Sequence, residues 1–333
     1  MLDKLAIPQA TVDKGTELWN LWNKTVLPKQ HLELVDIAIV GKYVETHDAY
    51  LSVVKSLEHS AMRCNKELHI RWVDSELLED STLSSDPAKH HQAWNLVKTA
   101  SGVVIPGGFG ERGIEGMIKA ASWTRTNRVP MLGICLGMQV AVIEAARNLC
   151  GHKTATSEEF GGQSDNSVVI FMPEGSRTEK GATMRLVRNP QRLSQPQLLI
   201  LFKGSRPTHF QPGSERSKLR ALYGYAEVVE ERHRHRYEVN PDYVDQLEKA
   251  GLKFIGKDDT GKRMEILEIE DHPWYVGVQF HPEYQSKVLD PSRPYLGFIA
   301  ASSGCLEQIT KELLEQLKAT NELPNGAAGA IHF

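Results

Sequence analysis

VPMLGICLGMQVAVIEAARN, residues 129–148, is the stretch on which the fold turns. VPMLGI is short and apolar and reads as a buried strand, whereas LGMQVAVIEAARN places apolar residues at helical spacing. Cys135 falls on the turn between them, with Gly133 and Gly137 two residues to either side. Glycine at both flanks removes side chains that would collide where a strand reverses sharply into a helix, the requirement of a nucleophile elbow of the form G-x-C-x-G. Such a turn pushes the sulfur outward and strains its backbone. It also sets the thiol at a helix N-terminus, where unpaired N–H groups and the dipole favour thiolate over thiol and can steady an oxyanion. An arbitrary intracellular cysteine is more often a small buried hydrophobe. The paired glycines and the strand-to-helix switch set Cys135 apart and predict a reactive thiol.

Working outward, strands and helices alternate. VDIAIVGKY at 35–43 reads as a strand, DAYLSVVKSLEHSAMRCN as a helix, ELHIRWV as a strand, HHQAWNLVKTA as a helix, GVVIPGG as a strand and IEGMIKAASWTRTN as a helix. This order predicts an α/β fold of three layers, a doubly wound, mostly parallel sheet with helices on both faces. Ligands in such sheets gather beyond the carboxyl ends of the strands, where both PGGFGERG (106–113) and Cys135 would fall. Residues 1–33 carry one amphipathic helical candidate, TELWNLWNKTVL, and read as a linker or helical leader; NELPNGAAGAIHF at the end reads as a frayed tail.

Composition narrows the function classes. The 333 residues are 41% hydrophobic and 24% charged, enough for one large α/β domain or two small ones. A net charge of −3 and a pI near 6.5 give nothing global that would attract nucleic acid or an acidic membrane. The four cysteines, Cys64, Cys135, Cys150 and Cys305, are far apart without C-x-x-C spacing, so neither a zinc cluster nor a disulfide framework is expected. No signal-peptide core or membrane-length apolar run appears, and the cytoplasm is the expected compartment.

Three further segments complete a constellation. In PGGFGERG, consecutive glycines between a strand and a helix can turn backbone N–H groups toward a ligand; alone the pattern is more often a tight turn, and no Walker A sequence occurs. Beside the elbow it becomes a second oxyanion donor, the Leu136 N–H being the first. WYVGVQFHPEY (274–284) ends an apolar strand at His281-Pro282-Glu283. Residues two apart in extended chain share a face, so Glu283 would orient the His281 imidazole with Pro282 holding the backbone extended. EERHRHRYEVNP (230–241) alternates Arg232, Arg234 and Arg236 with His233 and His235, which in a strand puts arginines on one face and histidines on the other. It is too short for a nucleic-acid patch and suits local ion pairs or one small anion. With Glu158 and Glu159 as a counterpart for a cation, an arginine and a carboxylate would suit a zwitterion such as a free amino acid.

GGFGERG, GICLGMQVAVIEAARN, ERHRHRYEVNP and VGVQFHPEY, in this order, resemble the glutaminase domain of the CTP synthases, class I glutamine amidotransferases; GKYVETHDAYLSVVKSLEHSA resembles its opening. The likeness spans roughly residues 35 to 305. It implies a class I amidotransferase-like fold, with residues 34–316 as the amidotransferase domain and 317–333 as a flexible tail. The activity implied is hydrolysis of L-glutamine to glutamate and ammonia, the ammonia being used for ATP-dependent amination of UTP to CTP in pyrimidine biosynthesis. Carried onto this sequence, Cys135 is the nucleophile, His281 moves protons and Glu283 orients it. Gly107, Gly108 and Leu136 would hold the oxyanion; Gly137, Met138, Gln139, Glu159 and Arg236 would line the glutamine site, Arg236 suiting the α-carboxylate and Glu159 the α-ammonium. No metal ligand is expected and no cofactor in this chain. ATP, magnesium and GTP are expected only with a synthetase domain, and such a domain or subunit is the expected partner. The sequence departs from the family twice. The family's N-terminal synthetase domain has no match here, and Val187–Lys203, containing LLILF, interrupts what the family reads as MRLGSRPTHF and looks like an insertion. A non-catalytic truncated paralogue or gene-model fragment that only binds CTP synthase subunits is the alternative; a peptidase or chaperone of related fold would leave Glu159 and Arg236 without a job.

Overall fold

The computed structural model describes residues 8–26, 31–163, 165–172 and 205–319; the expected insertion at 187–203 and the tail beyond 319 lie outside them. The strands are β1 (Glu33–Gly41), β2 (Lys66–Asp74), β3 (Gly102–Ile105), β4 (Met131–Ile134), β5 (Thr156–Ser157), β6 (Ser167–Phe171), β7 (Ser205–Phe210), β8 (Val228–Arg232), β9 (Tyr237–Val239), β10 (Lys253–Lys257), β11 (Met264–Glu268) and β12 (Tyr275–Val278). The helices are α1 (Gln9–Val26), α2 (Leu51–Arg63), α3 (Asp80–Ser85), α4 (Pro87–Lys98), α5 (Ile114–Asn127), α6 (Leu136–Asn148), α7 (Lys218–Leu222), α8 (Pro241–Lys249), α9 (Arg293–Ser302) and α10 (Leu306–Ala319).

Period-two burial builds the layers. In β1, Ala38 and Val40 pack into the core under α4, α5 and α6, while Val35, Ile37 and Ile39 pack into the core under α2 and α9. The same division recurs at Val103 and Ile105 against Val104, and at Tyr275 against Val276 and Val278. A strand apolar on both faces is stable only between two helical layers, and each such side chain, fully buried, contributes about 1.5–3 kcal/mol. α6 is buried along its whole run from Leu136 to Ala146, which makes it the central helix of its layer. It is tied to α5 by a two-pronged ion pair: Arg125 Nε donates to Glu144 Oε2 at 2.9 Å and Arg125 Nη2 to Glu144 Oε1 at 2.7 Å.

The nine-stranded sheet runs β2-β1-β3-β4-β12-β11-β10-β7-β8. The pairs from β2 to β12 are parallel, as the alternation predicts. From β12 onward every pair is antiparallel, so the parallel half continues into a second half that the sequence pattern did not announce. The connections explain it. Residues 258–263 join β10 to β11 in a tight loop, where Asp258 Oδ1 accepts from the Lys262 and Arg263 N–H groups at 3.2 Å each, and 269–274 join β11 to β12. Neither is long enough for a parallel crossover. A three-stranded sheet, β5-β6-β9, sits beside the main one.

α1 realises the predicted leader helix, but none of its residues is buried, and Leu18, Trp19, Leu21 and Trp22 are exposed. α10 continues through 317–319, so helix persists past the expected start of the tail. Among the described residues no helix is long and apolar enough to cross a membrane.

Candidate functional site

Strand order reverses at β1/β3, and the ends of β1, β3, β4 and β12 deliver Lys42, Gly107, Cys135 and His281 to one rim. Cys135 has φ 54° and ψ −101°, a conformation that non-glycine residues rarely adopt, held by its N–H donating to Val278 O at 2.7 Å. The flanking glycines are required sterically. A Cβ on Gly133 would lie 2.6 Å from the Gly137 carbonyl oxygen, and one on Gly137 only 1.9 Å from that of Ile105.

The sulfur, expected to project outward, is covered: Cys135 is 6% exposed, and Sγ lies 3.9 Å from Arg234 O. The Arg234 carbonyl of the 233–236 link lies against it, and the Gly107 backbone comes close to the Cys135 side chain. A Cβ on Gly107 would meet His281 Cε1 at 3.1 Å and Cys135 Cβ at 3.6 Å, and one on Gly108 would meet Leu136 Cδ2 at 3.2 Å. Gly107 therefore adjoins both Cys135 and His281, Gly108 adjoins Leu136, and the Cys135 and His281 side chains are hydrogen-bonded to each other.

His281 Nδ1 is 2.8 Å from Glu283 Oε1, with side chains 13% and 5% exposed. The route differs from the expected extended chain. Pro282 opens a single 3-10 turn, Pro282–Gln285, and Glu283 reaches back to the ring from within it. Proline's fixed φ suits the first position of a helical turn as well as extended chain. Burial opposes a charged His281, but hydrogen bonding and charge from Cys135 and Glu283 outweigh it and hold the imidazole well above its usual pKa. Behind Glu283 lie groups the sequence did not flag. Tyr295 is fully buried, and burial together with the Glu283 charge raises its hydroxyl well above the usual range. Burial pushes the Glu231 carboxyl up to about 7, although the Tyr223 hydroxyl donates to it at 2.6 Å.

The remaining expected residues divide. Leu136 and Met138 are core side chains that can offer only backbone to the rim, and Gly137 packs α6 against β3. Gln139 is buried, its Nε2 donating to Tyr237 O at 3.0 Å and to Gln279 Oε1 at 3.2 Å. Glu159 sits in a 3-10 turn after β5 and accepts from the Gly110 N–H at 2.9 Å. Burial raises its pKa, against the charges of Lys42 and Arg236. Glu158 instead accepts from the Phe171 N–H at 3.1 Å. The arginine–histidine alternation holds, with Arg232 and Arg234 exposed, His233 and His235 buried and Arg236 half-buried, but 233–236 is the link between β8 and β9 rather than strand.

Lys42 is an addition that sequence reasoning passed over. Nearly buried, it donates from Nζ to Phe109 O at 3.2 Å, and burial lowers it to about 8. In the sequence it lies inside the predicted strand 35–43 and the GKY opening, with nothing to mark it as a site residue; the observed β1 ends at Gly41 and leaves Lys42 just past its end. A cavity of about 450 Å³, lined in part by Arg216, Lys218, Tyr225 and Leu306, lies away from this rim.

The rim thus holds a thiol, an imidazole pinned by a carboxylate, and glycine backbone over the sulfur, an arrangement able to form and break a thioester. The family model for Glutamine amidotransferase class-I matches residues 45–301. The structure is similar to that of the glutaminase domain of Trypanosoma brucei CTPS with bound acivicin, at TM-score 0.68 and 35% identity, covering 81% of this chain and 94% of that one. The chain belongs to the glutamine amidotransferase class-I family, in its CTP synthase glutaminase branch. It is 60% identical over 326 residues to the CTP synthase of Neurospora crassa, covering 98% of this chain and 53% of that protein. To the CTP synthase of Gibberella zeae it is 54% identical over 332 residues, covering 100% and 54%. The chain therefore spans about half the length of the curated relatives it matches.

Proposed function

We propose that this chain is the glutamine-hydrolysing part of a CTP-forming enzyme of the cytoplasm, with residues 34–316 as the working domain and 1–33 as the link to a synthetase part. The observation that carries the reading is Cys135, strained at its elbow, hydrogen-bonded to a His281 ring whose Nδ1 is held by Glu283. The Cys135 sulfur attacks the side-chain amide carbon of L-glutamine, and the oxygen's growing charge is met by N–H groups of Gly107, Gly108 and Leu136. His281 gives its proton to the departing nitrogen, releasing ammonia and leaving a glutamyl thioester; it then takes a proton from water, which cleaves the thioester to glutamate. Glu283 holds the ring in the required tautomer. Arg236 and Glu159 would receive the α-carboxylate and α-ammonium, backed by Lys42 and Gly110, while Gln139 props the Tyr237 backbone. ATP, magnesium and GTP belong, on this reading, to the synthetase part, where ammonia would aminate UTP.

The test is glutamate release from glutamine by the purified chain beside Cys135→Ala. The expected result is slow but measurable turnover that falls at least about a thousandfold in the variant. Equal rates in the two would end the enzymatic reading and leave a module that binds CTP synthase subunits.

A further inference from the structure

We infer that His233, His235 and Glu265 form a buried binding site for one divalent transition-metal ion, zinc being the best match, beneath the segment that covers Cys135. The catalytic reading uses none of the three side chains. His233 is 1%, His235 2% and Glu265 1% exposed, and one ligand atom from each lies within 4.8 Å of the others. The two imidazoles, two residues apart on the inward side of the 233–236 link, approach with ring centroids 5.7 Å apart, and β11 brings the carboxylate beneath them.

Three details favour a metal over a simple polar cluster. Neither ring nitrogen of His233 makes a hydrogen bond among the described residues, although its side chain is wholly buried. An imidazole in that state costs free energy unless something else takes its lone pair. Next, His233 Nδ1 and Glu265 Oε2 stand 3.3 Å apart without hydrogen-bond geometry. Tetrahedral zinc with bonds of about 2.0–2.2 Å sets neighbouring ligand atoms about 3.3–3.6 Å apart. Finally, His235 Nδ1 is 3.0 Å from Tyr237 O. A carbonyl only accepts, so Nδ1 carries the proton and Nε2 carries the lone pair. A ring N–H given to a backbone carbonyl is the usual support of a metal-binding histidine. Two imidazoles and a carboxylate make a ligand set that zinc accepts, with a fourth position for water. A net charge of +1 for dication plus carboxylate is also far easier to bury than a bare ion.

The site bears on its neighbours through backbone. Arg234 O touches the Cys135 sulfur and Tyr237 O holds Gln139, so an ion clamped between 233, 235 and β11 would fix the segment presenting both carbonyls. The sequence expectation of no metal rested on cysteine spacing, which is blind to a His-x-His completed by a distant glutamate.

The test uses the full 333-residue chain, stripped with a chelator and dialysed against a slight excess of Co²⁺ or Zn²⁺. The expected result is about one metal per chain by mass spectrometry and the intense visible bands of four-coordinate cobalt, with affinity falling at least about tenfold in Glu265→Gln and His235→Gln. The same metal content should survive in Cys135→Ala with His281→Ala. Loss of metal in that double variant would place the ion at the thiol and overturn the proposal, as would sub-stoichiometric metal in the unmutated chain or unchanged affinity in Glu265→Gln. Circular dichroism of each variant separates lost ligation from lost folding, and the unmutated chain decides the matter alone if a variant does not fold. None of these outcomes touches the glutaminase reading.

Discussion

Glycine does two separate jobs around Cys135. Gly137 is structural: its missing Cβ lets α6 press on the Ile105 carbonyl. Gly137→Ala must part helix from strand and is expected to cost about 3 kcal/mol in urea denaturation. Gly107→Ala adds a methyl 3.1 Å from the His281 ring edge, a contact that a small shift relieves. Its denaturation midpoint should move little while glutamate release falls at least about tenfold. Equal destabilisation by both would show that the two glycines are merely packing. Gly133, Cys135 and Gly137 were legible in the sequence because an elbow imposes its residue types locally. The cover over the sulfur was not, because it is built from residues about 30 and 100 positions away. Pro282 misled for another reason: its φ suits extended chain and a helical turn alike, so local chemistry left the path to Glu283 undecided.

Among the elements, the parallel strands were readable through their alternation with helices, while β10 and β11 were not. Buried strands there lack the polar alternation that marks a hairpin, and their partners are assigned by short loops rather than by pattern. Those loops also hold side chains that sequence cannot weigh. His272, between β11 and β12, accepts from the Trp274 N–H at 3.2 Å and donates from Nε2 to Thr124 O on α5 at 3.1 Å. Burial lowers its pKa from 6.5 to about 4. The unfolded chain thus takes this proton near pH 6.5 and the folded chain only near 4. The stabilisation is complete above pH 6.5 and is lost as pH falls from there through about 4, a change on the order of 3 kcal/mol. His272→Gln should flatten the fall in unfolding free energy across that window relative to the unmutated protein. Identical slopes would mean that the ring is not held neutral.

For the whole molecule, the match in identity and fold to glutaminase domains came early because four separated motifs had to coincide in order. Lys42 and the tyrosines behind Glu283 stayed hidden because a lysine or tyrosine in a sequence carries no mark of its burial. α1 stands apart energetically, with no buried residue. A chain beginning at His31 should melt within a few degrees of the full one and aggregate less, since it sheds the exposed Leu18, Trp19, Leu21 and Trp22; a large fall in melting temperature would mean that the helix supports the domain. The pairing of Ile134 with Val278 has a wider consequence. Cys135 directly follows one member of that rung and His281 comes three residues after the other, so two adjacent strands of one ladder bring sulfur and ring to the same edge. On the proposed glutaminase reading, a throttle applied by the remainder of a longer enzyme would act on what is admitted to the rim and how its oxygen is greeted, not on the edge where the two strands deliver sulfur and ring.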